Sequence, residues 1–270
     1  MRSWILKELC EDRCIEAIER NIIEHQVFFA SRHPQMEVVA CEDFVLVDTK
    51  SASRFFNYVY IRKSTLDDAE PSMETMLEYF KLQNRPFSWV IGPTVSTEVF
   101  KPVLEALGFK RQEPSYCMVM NLHHLNKRLK YIPGFYVQQA LTREVIQDVG
   151  KVYETLCQEK EAVSEYFTKV STLALRSCDP MRLFVGYLHD EPCVVGELYL
   201  GAGIAGLRCS IAYKWKSQEK EMLLDLMIKM LAQAKQQGYH IAMVKTFKEH
   251  CSYLQQLGFK RYCEVSWYQT

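Results

Sequence analysis

One stretch of this chain occurs twice. Leu104-Glu-Ala-Leu107-Gly108-Phe109-Lys110-Arg111 returns as Leu254-Gln-Gln-Leu257-Gly258-Phe259-Lys260-Arg261, 150 residues later. The surroundings repeat with it. A helix at Met73–Lys81 and a strand at Phe87–Ile91 precede the first copy; a helix from Met222 and a strand at Tyr239–Met243 precede the second. A five-residue match alone is weak, but the same order of elements around both copies points to an internal duplication. At about 100–200 residues per domain, a chain of 270 residues holds two such units. The expected division is 1–124 and 135–270, with a polar linker at 125–134 that ends in Pro133-Gly134.

Hydrophobic periodicity sets the elements within each unit. The second reads as a strand at Tyr136–Ala140, then helices at Thr142–Cys157 and Glu161–Ser177, with Thr142 as N-cap. Strands follow at Met181–Leu188, Cys193–Leu200 and Leu207–Tyr213. A long helix, Lys220–Gln237, closes at Gly238. Strand Tyr239–Val244, helix Glu249–Leu257 and strand Phe259–Tyr268 complete the unit. The first unit reads as a helix over 5–29, strands at Met36–Cys41, Phe44–Asp48 and Arg54–Ile61, and a helix opened by Pro71. Strand Phe87–Ile91, a short helix to Leu107 and strand Phe109–Leu122 follow. Antiparallel runs combined with strand–helix–strand crossovers give an α+β fold, each unit a mixed, mostly antiparallel sheet flanked by helices.

Composition excludes several classes. Lys plus Arg and Asp plus Glu both number 33, so nothing in the charge balance recommends nucleic acid or an anionic membrane as partner. The basic cluster Lys127, Arg128, Lys130 reads as a solvated connector. No apolar run reaches the roughly 18 residues of a membrane span, and Lys7 and Glu8 interrupt the N-terminal Trp4-Ile5-Leu6 too soon for a secretory signal. Ten cysteines lie singly among apolar residues with no CxxC pair. Cys10 and Cys14 share a helix face but have no second ligand pair at zinc spacing, so no metal is expected. Reduced, buried thiols and a cytoplasmic location fit this pattern.

A short helix ending in Leu-Gly-Phe, entering a last strand after a helix–Gly–strand unit, resembles the GNAT N-acetyltransferases. Phe56-Asn57-Tyr58-Val59, Pro86-Phe87-Ser88-Trp89 and the glycine-rich Gly201-Ala-Gly203-Ile-Ala-Gly206 extend the resemblance to bacterial tandem-GNAT proteins, with a degenerate first half. The three glycines also spell G-x-G-x-x-G. That dinucleotide fingerprint needs a helix directly after it, and here a strand follows.

The resemblance implies transfer of an acetyl group from acetyl-CoA to a small-molecule or peptide amine. It implies a strand that offers backbone groups to the pantetheine arm, here Ile211, Ala212 and Tyr213. A loop and helix start should then receive the pyrophosphate, here Gln218, Glu219, Lys220, Glu221 and Met222, with Ser252 nearby. Glu221 and Leu223 stand where the family has glycine. Two readings follow: a self-capped helix start in an inactive ligand- or protein-binding module, or an altered coenzyme site. For the proton donor to the departing thiolate, the family position falls on Leu254, and its neighbour Tyr253 is either that donor or a packing aromatic. Glu197 is the one acid in Val194–Leu200. It is either a general base whose pKa burial has raised or a solvent-facing residue.

Overall fold

The computed structural model describes residues 5–9, 11–62, 66–125, 131–212, 214–215 and 219–270. The chain order is α1 (Glu11–Val27), β1 (Glu37–Ala40), β2 (Phe44–Asp48), β3 (Tyr58–Ile61), α2 (Leu66–Leu82), β4 (Ser88–Ile91), α3 (Thr97–Ala106), β5 (Lys110–Arg111) and β6 (Ser115–Asn121). Then come β7 (Phe135–Gln139), α4 (Arg143–Glu154), α5 (Lys160–Val170), β8 (Met181–Leu188), β9 (Glu191–Gly201), β10 (Ile204–Ile211), α6 (Glu219–Gln236), β11 (Ile241–Thr246), α7 (Lys248–Gln256) and β12 (Lys260–Gln269). The α+β class and the mixed, mostly antiparallel sheet match the sequence reading.

All these strands join one sheet, in the order β1-β2-β3-β4-β12-β6-β11-β10-β9-β8-β7, with β5 on β12. The ends of the two repeats are interleaved. The last strand of the second, β12, runs antiparallel to β4 of the first, and β6 of the first runs antiparallel to β11 of the second. The repeated Leu-Gly-Phe has a physical basis in both copies. Gly108 and Gly258 sit at φ 87° and 98°, a conformation open to glycine at little cost. Phe109 N donates to Leu104 O and Gly108 N to Glu105 O; Phe259 N and Gly258 N repeat this with Leu254 O and Gln255 O. Each is a Schellman close with its leucine and phenylalanine buried together.

Local chemistry explains where the elements depart from the periodicity. The strand expected from Arg54 begins only at Tyr58, because buried Asn57 ties down the loop before it. Its Oδ1 accepts from Thr49 N and Oγ1, and its Nδ2 donates to Ser51 O and Pro86 O. That single side chain joins the Phe-Asn-Tyr-Val and Pro-Phe-Ser-Trp segments. Pro71 lies inside α2 rather than at its first turn, at a cost of one backbone hydrogen bond. The expected strand 109–122 is split into β5 and β6 at Gln112–Pro114. Thr142 caps α4 as read, accepting from Val145 N. The glycine-rich segment is a two-residue hairpin turn, with Ala202 and Gly203 both at positive φ between paired Gly201 and Ile204. A strand leaves it, so no dinucleotide loop exists here.

The helices cover both faces. One face carries α1, α4 and α5 over Val195, Met243 and Cys117; the other carries α6 and α7 over Leu207, Ala242 and Val244. Although α1 belongs by sequence to the first repeat, it lies on β9 and β10. Its buried Asn21 donates to Gly201 O and Ile204 O, and Leu6 N, just upstream, donates to Gly203 O.

Candidate functional site

Each repeat contains one parallel strand pair made by a helical crossover, and the two pairs differ. In the first, β3 and β4 stay paired over all four residues, Tyr58–Ile61 with Ser88–Ile91. In the second, β10 and β11 pair only from Ala205–Leu207 to Ala242–Val244, while the strands run on to Ile211 and Thr246. The ladder stops where Arg208 and Lys245 follow. Like charges side by side on neighbouring strands disfavour pairing, and the strands splay from that point. Backbone groups past the fork face a gap instead of a partner strand.

A cavity of about 640 Å³ runs through the fork. Toward α6 and α7 its wall includes Leu223, Met227, Phe247, His250 and Tyr253; toward the other face it includes His25, Phe56, Tyr153 and Tyr166. Both sheet faces therefore open into one space. Leu223, at a position expected to hold glycine, forms wall and does not fill the gap.

Glu197, Arg208 and Lys245 share the face under α1 and α4, with Glu197 and Arg208 directly opposite across β9 and β10. Glu197 Oε2 accepts from His25 Nε2 at 2.8 Å, and Oε1 accepts from Tyr153 Oη at 2.5 Å. Burial opposes ionisation of this carboxyl, yet His25, the Arg208 charge and Tyr153 outweigh it and hold its pKa down at about 2. This corrects the expectation of a raised pKa: Glu197 is ionised at neutral pH with both oxygens occupied, which suits it poorly to proton abstraction. Because a carboxylate only accepts hydrogen bonds, Nε2 of His25 carries a hydrogen, and Nδ1 is the ring nitrogen left outside this contact. The ring also stacks on Tyr199, centroids 5.7 Å apart.

Lys245 projects from β11, its Nζ 5.0 Å from the centre of the Trp267 ring. Burial, with Arg208 beside it, lowers this amine to about 8. The Arg208 guanidinium lies 5.7 Å from the Tyr153 ring centre. Tyr253 is half-buried at the edge of the cavity. Its hydroxyl donates to Lys220 O at 3.3 Å, Lys220 Nζ lies 5.1 Å over its ring, and burial raises its pKa to about 12. Leu254, the residue at the family position, is buried in the core.

The remaining sequence-derived positions are spread out. Ile211 lines the cavity. Ala212 and Met222 are buried, Met222 against Cys193, so only their backbone groups face outward chemistry. Lys220 and Glu221 border a separate hollow of about 200 Å³ beside Tyr253. Ser252 is exposed and outside the lining. Tyr213, Gln218 and the Glu219 side chain, like Lys127, Arg128 and Lys130, lie outside the described residues. Sequence reasoning missed His25, Tyr153, Arg208 and Lys245. For the last two a signal existed: each is the lone cation in an apolar strand, the criterion that singled out Glu197.

No family model matches the chain, and no curated relative does. Solved structures do. A GCN5-related N-acetyltransferase from Kribbella flavida superposes with a TM-score of 0.61 at 12% identity, over 93% of this chain and 95% of that one. A tandem GNAT protein from the clavulanic acid biosynthesis pathway gives 0.57 at 11%, over 99% and 97%. The fold is that of the GCN5-related N-acetyltransferases. A conserved Staphylococcus epidermidis protein of unknown function shares it as well, with a TM-score of 0.63 at 11% identity, over 90% and 96%, so this GNAT fold alone does not name a reaction. No helix among the described residues is long and apolar enough to cross a membrane.

Proposed function

We propose that this chain is an acyltransferase that moves an acetyl group from acetyl-CoA to an amine, using the fork between β10 and β11. The fork carries the reading: of the two equivalent strand pairs, β10 and β11 lose their pairing where they reach the cavity, whereas β3 and β4 stay paired throughout and give its wall only Tyr58 and Ser88. Its unpaired strand edges suit the pantetheine arm, which pairs like an added strand. Residues from Ile211 to Ala212 would hold that arm, and the start of α6, Glu219–Met222, would meet the pyrophosphate. Residues 1–124 and 135–270 are then two copies of the fold, the first a partner that contributes α1 and the Phe55, Phe56 and Tyr58 part of the aromatic wall.

Acetyl-CoA supplies the thioester carbonyl that the amine attacks, the C–N bond forming as C–S breaks. His25, oriented by Glu197, takes the amine proton at Nδ1. Tyr253, which keeps its own proton at neutral pH, gives one to the leaving thiolate. No covalent enzyme intermediate is required; catalysis is positioning and proton transfer. The described cysteines are all free, in keeping with a reducing, cytoplasmic setting.

The side chains at 221 and 223, in place of glycines, favour a second reading: a GNAT-fold module that binds a ligand or protein without catalysis. Two measurements separate them. Acetyl-CoA at about 100 times its Kd stabilises its binder by about 2.7 kcal/mol, a rise of several degrees in melting temperature, and the enzyme also releases free thiol with an amine acceptor. A rise without thiol release across a broad amine panel favours the module. Absence of both rejects the acyltransferase.

A further inference from the structure

Proton transfer leaves two side chains of the cavity without a task. Arg208 and Lys245 are the first residues beyond the last β10–β11 pair, on the same sheet face, and both line the cavity. Among the described residues neither forms an ion pair. Glu197 is the carboxylate their charges feel, and its oxygens are already taken by His25 and Tyr153. The inner wall therefore carries two cations against one anion. At the rim Arg54 is tied to Thr270 O and Glu159, and Glu113 is exposed to solvent, so neither alters the balance of the inner wall. A half-buried excess cation is screened less than one at the surface and attracts an anion.

The excess is one unit, which matches a monoanion; a phosphate dianion would overcompensate it. Beyond the cations the wall turns apolar, with Phe55, Phe56, Leu156, Tyr166 and Trp267, and Phe55 is 47% exposed. We infer that the acceptor is an amine bearing a carboxylate and an apolar side group, its carboxylate seated between Arg208 and Lys245 and its apolar part against the aromatic rim. The amine's part in this rests on the acyl-transfer reading; the carboxylate seat does not.

The test titrates the full chain calorimetrically with L-phenylalanine and with L-phenylalaninamide, at a mildly acidic pH where both ammonium groups stay protonated and the two differ only in the carboxylate. Acetyl-CoA is titrated separately, and each titration is repeated on Arg208→Gln and Lys245→Gln. The expected result is at least about a tenfold preference for phenylalanine. Either substitution should remove it while acetyl-CoA affinity stays within about twofold. If Arg208→Gln does not fold, Lys245→Gln decides. Equal binding of acid and amide, no binding of the acid up to about 10 mM, or a preference that survives Lys245→Gln overturns the carboxylate seat. Loss of acetyl-CoA binding with the preference intact instead overturns the acyltransferase and leaves the seat standing.

Discussion

At the scale of single residues the site is a set of half-buried charges. Glu197 has a folded pKa far below its unfolded value, so its contribution to stability is present above about pH 4.5 and lost as the pH falls toward 2. A depression of this size corresponds to about 3 kcal/mol. Urea midpoints from pH 5 to 2 should therefore fall more steeply in the wild type than in Glu197→Gln, whose profile is flatter. Lys245 works the other way. Its folded pKa is lowered, so its buried charge costs stability at neutral pH, and that cost disappears as the pH rises through 8 toward 10.5. Lys245→Met should unfold later than the wild type at pH 7, by about 1–3 kcal/mol, with the difference gone near pH 10. His25→Asn should lower kcat/KM by about 10²–10³ while the acetyl-CoA melting shift remains; an unchanged rate would remove His25 from the proton path. The Glu197 carboxylate was legible in the sequence because it interrupts an apolar strand. Its ionisation state was not, because that depends on His25, 172 residues away.

At the scale of elements, local rules gave most of the framework. Thr142 as cap, Gly238 and the two Leu-Gly-Phe closes, and the Ala202-Gly203 hairpin are all nearest-neighbour chemistry, which a sequence carries openly. The fork and the docking of α1 are tertiary and were not legible. Gly206 shows how finely α1 is seated: a methyl group there would stand 2.0 Å from Asn21 Oδ1, whose side chain is buried and held by carbonyls of the hairpin. Asn21 lies one helical turn before His25. Gly206→Ala should push α1 off β10, cost about 2–3 kcal/mol and lower kcat together with the melting temperature. A variant as stable and active as the wild type would mean that α1 does not position His25.

At the scale of the molecule, the repeat was visible but its consequence was not. Similar last strands can be read as closing two separate sheets, whereas β12 and β6 each pair with a strand of the other repeat. Residues 135–270 made alone would lack β6, leaving β11 with a bare edge. They should be insoluble or molten, and co-production with 1–124 should restore a cooperative unfolding transition; a stable, folded 135–270 fragment would refute this. The central claim is that the fork is the acyl-donor site, and hydrogen exchange read by mass spectrometry with and without acetyl-CoA tests it most directly. Protection is predicted in peptides covering Ser210–Ala212, Thr246 and the start of α6, with β3 and β4 unchanged. Binding that leaves the fork amides exchanging as before, or that protects β3 and β4 instead, would contradict it.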